Sequence, residues 1–163
     1  MTPFGEENIV IRALASGDCP CLLEMAASTG MFTDAEVAVI SGRLSQHFAG
    51  SDESIWLVSD DSALNGVAYC VPEPMTNGTW NLLMLFVATG DKGKGVGSML
   101  VKRSEQAVIS RSGRLLMVET AGTDDFAQAR RFYAKCGFIE VAAVPEFYDT
   151  GVDKIILSKR LSI

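Results

Sequence analysis

The 163-residue sequence predicts a mixed α/β fold, α+β in class, with a twisted central sheet of about six to seven strands flanked by helices. Three observations lead there. Stretches of helical period alternate with short apolar runs along the chain. Two of those runs, Thr79–Val87 (TWNLLMLFV) and Arg114–Thr120 (RLLMVET), are nearly continuous, as in strands covered on both faces. Between them, a turn rich in glycine at positions 90, 93, 95 and 97 leads into a helix.

Each element has its own signal. Ile9–Ala13 is a short strand candidate, and Cys21–Thr29 has helical character. Thr33-Asp34-Ala35-Glu36 forms a capping box: the Thr33 hydroxyl can accept from the Glu36 N–H while the Glu36 carboxylate reaches back. Val37, Ile40, Leu44 and Phe48 follow at helical spacing, so an amphipathic helix spans about 34–48. Ser54–Ser59 and Asn65–Val71 read as strands on either side of the Asp60-Asp61-Ser62 turn. Pro72, Pro74, Asn77 and Gly78 mark the connection to Thr79–Val87. After the glycine turn a helix runs from about Gly97 to Ser110, and Gly113 follows its end. Beyond the strand Arg114–Thr120, Asp125–Cys136 reads as a helix stopped by Gly137. Phe138–Val144 and Lys154–Arg160 are the last two strands. With no internal repeat, low-complexity tract or linker, the length suits one domain over residues 1–163.

The net charge of -6 argues against a general nucleic-acid or membrane-surface binder, since both need a basic face. It leaves room for an anionic cofactor held by local cations. No apolar run approaches the roughly 20 residues that span a bilayer, and Met1–Ile9 lacks the basic-then-apolar pattern of a signal peptide. Cys19, Cys21, Cys70 and Cys136 show no zinc spacing with the single histidine, His47, so no metal is expected. They read as free thiols in a reducing, cytoplasmic compartment.

The chemistry is carried by the glycine turn. Gly93, Gly95 and Gly97 remove side chains where a new helix begins, which leaves outward-pointing N–H groups beside a helix dipole: an anion site. Lys92 and Lys94 add positive charge, and a pyrophosphate is the natural occupant. A Walker P-loop needs Ser or Thr after Gly-Lys; here Gly95 follows Gly93-Lys94, and Ala88 stands where the first glycine would fall. A dinucleotide-binding oxidoreductase is the stronger competitor. Gly93-Lys94-Gly95-Val96-Gly97-Ser98 follows a strand and opens a helix, and Glu119 ends the next strand, where a ribose-binding acid would sit. Against it, Ser98 replaces the third glycine, and no second alternating half follows. A turn without a ligand would leave the entropic cost of three glycines unexplained.

At these residues the chain resembles the GNAT superfamily of acyl-CoA-dependent N-acyltransferases. The family signature, Gln/Arg-x-x-Gly-x-Gly/Ala between the fourth strand and third helix, reads here Lys92-Gly93-Lys94-Gly95-Val96-Gly97. Lys92 keeps the charge and loses the planar fork. The second signature, a helix ending in aromatic-Tyr-x-x-x-Gly-Phe, reads Phe132-Tyr133-Ala134-Lys135-Cys136-Gly137-Phe138. The order of elements matches over essentially the whole chain. One position departs: where many members carry a cofactor-contacting Asn seven residues before the tyrosine, this chain has Phe126, so the amide contact is absent or falls to another residue such as Thr123 or Gln128.

The resemblance implies splayed fourth and fifth strands and acetyl-CoA as co-substrate, its pyrophosphate on Lys92, Gly93, Lys94, Gly95, Val96, Gly97 and Ser98. The pantetheine arm would bond to the backbone of Leu85, Phe86 and Val87 like an added strand. A backbone N–H near Leu85 would polarise the thioester carbonyl. The acceptor, a primary amine of a small molecule or protein, would attack directly, which suits a sequence with no obvious Ser/His/Asp arrangement. Many members are homodimers, and the last two strands are apolar enough to contribute.

Two catalytic candidates emerge, each with a plainer alternative. Tyr133 stands where the family places its general acid; otherwise it is a core tyrosine. Glu119, a carboxyl at the end of an apolar strand, could deprotonate the incoming ammonium; otherwise it is a salt bridge or a loop cap. Glu73, Tyr148 and Asp149 fall in connections that could line the acceptor side. His47 reads as half-exposed at a helix end, and Trp56 and Trp80 as core. Phe126 in place of Asn keeps a second class open, a non-catalytic acyl-CoA-binding module on the same fold.

Overall fold

A computed structural model describes residues 9–162; Met1–Asn8, the stretch without a leader-like pattern, and Ile163 lie outside the described residues. Among the described residues, seven strands, numbered along the chain as β1 (Val10–Ala13), β2 (Ile55–Asp60), β3 (Leu64–Pro72), β4 (Thr79–Val87), β5 (Leu115–Ala121), β6 (Ile139–Asp149) and β7 (Val152–Arg160), form one mixed sheet in the order β1-β2-β3-β4-β5-β7-β6, with four α-helices between them in sequence. The chain divides into two compact units. One runs up to Cys70 and adds Met84–Ser104; the other comprises Val71–Leu83 and the chain from Glu105 onward.

The first unit contains β1 (Val10–Ala13), α1 (Cys19–Ser28), α2 (Asp34–Phe48), β2 (Ile55–Asp60) and most of β3 (Leu64–Pro72). It also holds the second half of β4 (Thr79–Val87) and the start of α3 (Val96–Ser110). The capping box at α2 forms as expected: the Glu36 N–H donates to Thr33 Oγ1 at 3.2 Å, and the Thr33 N–H donates to Glu36 Oε2 at 2.7 Å. β1 and β3 flank β2, both antiparallel to it. Leu22, Ile40, Leu44, Val58, Val67 and Leu100 are buried, and Trp56 stacks on Tyr69 with ring centroids 3.9 Å apart. Gly66 sets how closely α3 approaches the sheet. A Cβ there would lie 2.8 Å from both Val96 Cγ1 and Leu100 Cδ1, so only glycine lets the first turns of α3 settle onto β3. Arg12 ties the outer strands to the first helical turn, donating to both carboxylate oxygens of Asp18 at 2.7 and 2.9 Å and to Asp60.

The second unit contains the first half of β4, β5 (Leu115–Ala121), α4 (Ala127–Lys135), β6 (Ile139–Asp149) and β7 (Val152–Arg160). β4 runs parallel to β5 through Thr79–Leu115, Trp80–Leu116 and Asn81–Met117, and among the described residues their register goes no further. β7 is antiparallel to β5 from Leu115–Arg160 to Ala121–Lys154, and β6 pairs with its other edge. The reverse turn Asp149-Thr150-Gly151-Val152 closes that hairpin, with Gly151 at φ 75°.

Three expectations need correction. The run Thr79–Val87 is a strand, but only Thr79–Leu82 is buried on both faces; Leu83 is 44% exposed, and of Met84–Val87 only Phe86 is buried. The helix expected from Asp125 begins at Ala127, because Asp124–Phe126 forms a 3-10 turn first. β6 does not stop at Val144 but continues to Asp149, so Tyr148 and Asp149 sit in a strand rather than a connection. Proline normally breaks a ladder, but on an edge strand its missing N–H need not be paired, and Pro145 is tolerated.

Candidate active site

The glycine turn is built for exposed backbone. A 3-10 turn at Thr89–Asp91 leads into Lys92, and Gly93 and Gly95 then adopt φ of 80° and 87°. A Cβ placed on Gly93 would have nothing within 4 Å, and one on Gly95 only Ile9 Cδ1, at 3.9 Å. The glycines are therefore needed for their backbone geometry and for the open space they leave, not to avoid a crowded core. α3 starts at Val96, whose side chain is buried and anchors the turn. As in any α-helix, the N–H groups of the first turn, Val96 to Ser98, have no carbonyl one turn back. Lys94 is ion-paired with Asp91 at 3.2 Å on the surface, an exchangeable contact of small worth. Open space, outward N–H groups and two lysines fit a diphosphate.

Beside the turn, β4 ends in Leu85, Phe86 and Val87. Phe86 is buried with its ring edge-on to Phe32 at 5.3 Å, while Leu85 and Val87 are half-buried. Phe86 thus fixes the strand from inside, and its neighbours keep partly open positions.

In the second unit, Glu119 and Lys154 form an ion pair at 2.9 Å. The register explains it. Glu119 is opposite Ile156 and Ala121 opposite Lys154, so Glu119 and Lys154 are diagonal neighbours on one face of the sheet. The Lys154 ammonium also sits 3.6 Å from the centre of the Phe147 ring. Tyr148 lies near Glu119: burial of part of its ring, and then the Glu119 charge, push its phenol above the ordinary value. Tyr133 is buried in α4, with its ring edge-on to Phe132 at 5.2 Å and Phe138 at 5.7 Å. Gly137, at φ 94°, ends that helix, and the Phe138 N–H donates back to the Tyr133 carbonyl at 3.0 Å, which is what brings the second motif's aromatic residues together. Phe126 is 43% exposed at the N-terminal cap of α4.

Comparison with known proteins bears on these geometries. The profile of the acetyltransferase (GNAT) domain family matches residues 51–140. The chain is also similar to a solved GNAT-family protein from Desulfovibrio desulfuricans, at 30% identity and a TM-score of 0.89 over 94% of this chain and 99% of that one. The chain belongs to the GNAT acetyltransferase family. Among more distant GNAT folds, an aminoglycoside 6'-N-acetyltransferase solved with coenzyme A is 17% identical with a TM-score of 0.76, over 94% and 98% of the two chains. YncA of Salmonella typhimurium, solved with acetyl-CoA, is 18% identical with a TM-score of 0.73, over 96% of each. No protein of curated function matches.

Within this GNAT chain the structure brings together residues that spacing did not connect. Ser54 Oγ donates to Asp52 Oδ1 at 2.6 Å and lies 3.0 Å from His47 Nδ1, so a Ser, a His and an Asp meet at one point. The order is wrong for a nucleophile: the serine proton is committed to the carboxylate, the histidine does not bridge, and Ser54 is 2% exposed. The cluster closes the α2–β2 connection. Arg130 Nη1 donates to the carbonyls of Ala121 at 2.6 Å and Thr123 at 2.9 Å, binding the end of β5 to the loop before α4. Asn81 is buried in β4, and its Nδ2 donates to Glu73 Oε1 at 3.1 Å. The four cysteines are unbridged, and burial pushes the Cys70 thiol up to about 12. Among the described residues, no three His, Cys, Asp or Glu side chains gather as metal ligands would, and no helix is long and apolar enough to cross a membrane.

Proposed function

We propose that this GNAT acetyltransferase moves an acetyl group from acetyl-CoA to a primary amine of a small molecule or protein, by direct attack and without a covalent enzyme intermediate. The observation that carries the reading is the Lys92–Ser98 turn, with Gly93 and Gly95 at positive φ and open space where side chains would stand. The Val96, Gly97 and Ser98 N–H groups would hold the pyrophosphate, with Lys92 and Lys94 beside them. The backbone of Leu85, Phe86 and Val87, beyond the last register pair of β4 with β5, would bond the pantetheine arm. Phe126, at the position where many relatives place an amide, would contact the cofactor through its ring instead.

When bound, the thioester supplies an acyl carbon open to attack. In the transfer a carbon–nitrogen bond forms, the carbon–sulfur bond breaks, and the amine must lose a proton while the leaving thiolate gains one. Tyr133 would donate a proton to sulfur as the carbon–sulfur bond breaks, sparing the site a free thiolate. Glu119 would take the proton from the amine, directly or through water. The unbridged cysteines support a cytoplasmic setting. The edge strand β6, with Ile139, Val141 and Val144 exposed, supports a homodimer.

Titration with acetyl-CoA and with NAD tests the reading: binding of acetyl-CoA but not NAD is expected, and the reverse would sink it. Release of free thiol in the presence of a panel of primary amines then separates an enzyme from a non-catalytic acyl-CoA-binding module. Phe126 in place of the amide favours the module, which predicts binding without release.

A further inference from the structure

We infer that Glu119, Phe147 and Tyr148 form an ammonium cage that recognises the acceptor, and that Lys154 is its internal occupant, displaced when a cationic primary amine binds. The inference rests on the acetyltransferase reading and deepens it by naming the acceptor class and the side chains that select it.

An ammonium is already held there. Lys154 Nζ lies 2.9 Å from Glu119 Oε2 and 3.6 Å from the Phe147 ring centre, so one cation has a carboxylate on one side and an aromatic face on another. That is the chemistry by which proteins bind organic ammonium groups. The cage is built by a backbone irregularity. The register passes from Val144–Lys154 to Asp149–Val152, so Pro145, Glu146, Phe147 and Tyr148 of β6 face only Asp153 of β7. Such bulges re-aim side chains. Glu146 sits at the strained φ of 52°, and the hairpin holds it there: its N–H donates to Asp153 Oδ1 at 3.0 Å, and its carboxylate accepts from the Gly151 N–H at 3.1 Å. The bulge thereby carries two consecutive aromatic residues to the Lys154–Glu119 pair, their rings edge-to-face at 5.0 Å.

The aromatic rim of the site is open to solvent, above a Lys154 side chain that is 12% exposed and a Glu119 side chain that is 26% exposed. Phe147 and Tyr148 are 53% and 47% exposed, unusual for two adjacent large aromatic side chains. Along β5 and β7, the face that carries Leu115, Met117, Glu119, Lys154 and Ile156 is half-open, whereas Leu116, Val118, Ile155 and Leu157 on the reverse are buried. Because the ammonium in the cage contacts the carboxylate proposed as base, an acceptor that takes its place presents its nitrogen and the proton to be removed to Glu119. Acceptors lacking a cationic nitrogen cannot displace Lys154 and are excluded.

Tetramethylammonium tests the cage apart from the chemistry, since it binds such sites and cannot be acetylated. In the full chain, NMR titration should shift the Phe147 and Tyr148 ring signals saturably. Lys154→Met, which removes the internal competitor, should bind the probe roughly tenfold more tightly and lower the KM for n-butylamine by a similar factor, with acetyl-CoA affinity unchanged. A lowered KM cannot come from damaged folding. Phe147→Leu, at an exposed position, should weaken both by several-fold. Ring signals that do not move, equal probe affinity in wild type and Lys154→Met, or an unchanged or raised KM in that variant each overturn the inference. Absence of thiol release with any amine would instead defeat the acetyltransferase reading, and the probe titration would still decide the cage.

Discussion

Replacing Gly95 by Asn and by Asp separates the two things the glycine turn is proposed to do. Gly95 sits at φ 87°, where a side chain is strained, but its Cβ would meet only Ile9 Cδ1, at 3.9 Å. The cost of adding a side chain is therefore conformational, about 1 kcal/mol, and smaller for Asn and Asp, which tolerate the left-handed region. The two variants have nearly the same shape and differ in charge. A carboxylate placed about 6 Å from a doubly charged pyrophosphate costs about 1.4 kcal/mol at a dielectric of 80 and about 2.8 at 40. Gly95→Asp should thus bind acetyl-CoA about 10- to 100-fold more weakly than Gly95→Asn by calorimetry, while the two melt within a few degrees of each other. Added salt should narrow the difference. Equal affinities for the Asn and Asp variants would place the pyrophosphate elsewhere and refute the assignment.

Tyr133→Phe keeps a buried ring that meets Phe132 and Phe138 edge-on, and should lower turnover roughly 10- to 1,000-fold if the phenol is the acid; wild-type turnover on an acceptor whose chemistry is rate-limiting would leave Tyr133 a packing residue. Glu119→Gln should lose most activity at low pH, where the amine is protonated, and recover partly as pH rises; a uniform loss across pH would return Glu119 to its ion pair with Lys154. Arg12→Met removes paired hydrogen bonds to Asp18 from a partly exposed site and should cost about 1–2 kcal/mol at neutral pH, a Tm drop of roughly 2–8 °C. The hydrogen bond from Arg12 holds the Asp18 carboxyl below its ordinary value, so this stability is full above about pH 4 and is lost as pH falls through the lowered pKa; the gap between wild type and variant should narrow progressively on acidification, and a gap that does not change with pH would refute the linkage.

What was legible in the sequence is what short spacing controls. The α2 capping box needs only Thr33 and Glu36 three residues apart, and both of its bonds form. The glycine turn needs left-handed backbone at fixed positions, and Gly93 and Gly95 supply it. The second motif is local in the same way, since Gly137 ends α4 and returns Phe138 to Tyr133. Apolar runs located every strand of the sheet, because burial of one or both faces writes itself into composition. The same rule overreached in β4: a continuous apolar run also arises where half of a strand keeps partly open positions, as Leu83, Met84, Leu85 and Val87 do around the buried Phe86.

The remaining features depend on register, which no short window contains. Glu119 and Lys154 stand 35 residues apart in sequence and meet only because Ala121 pairs with Lys154 across β5 and β7. His47, Asp52 and Ser54 are near in sequence, yet their hydrogen-bond order depends on how the chain turns between α2 and β2. The bulge at Pro145–Tyr148 is the most instructive case. In a central strand Pro145, and a glutamate held at positive φ as Glu146 is, would end the ladder. β6 lies at the sheet edge, where the strand can lose those ladder bonds and resume at Asp149. An edge position thus allows a strained, irregular segment to persist, and that segment is what carries Phe147 and Tyr148 to the Glu119 carboxylate. Mutating Glu146 to Gly would relieve the strain at φ 52° but delete the carboxylate that accepts from Gly151, so the aromatic pair should loosen while the sheet core stays intact.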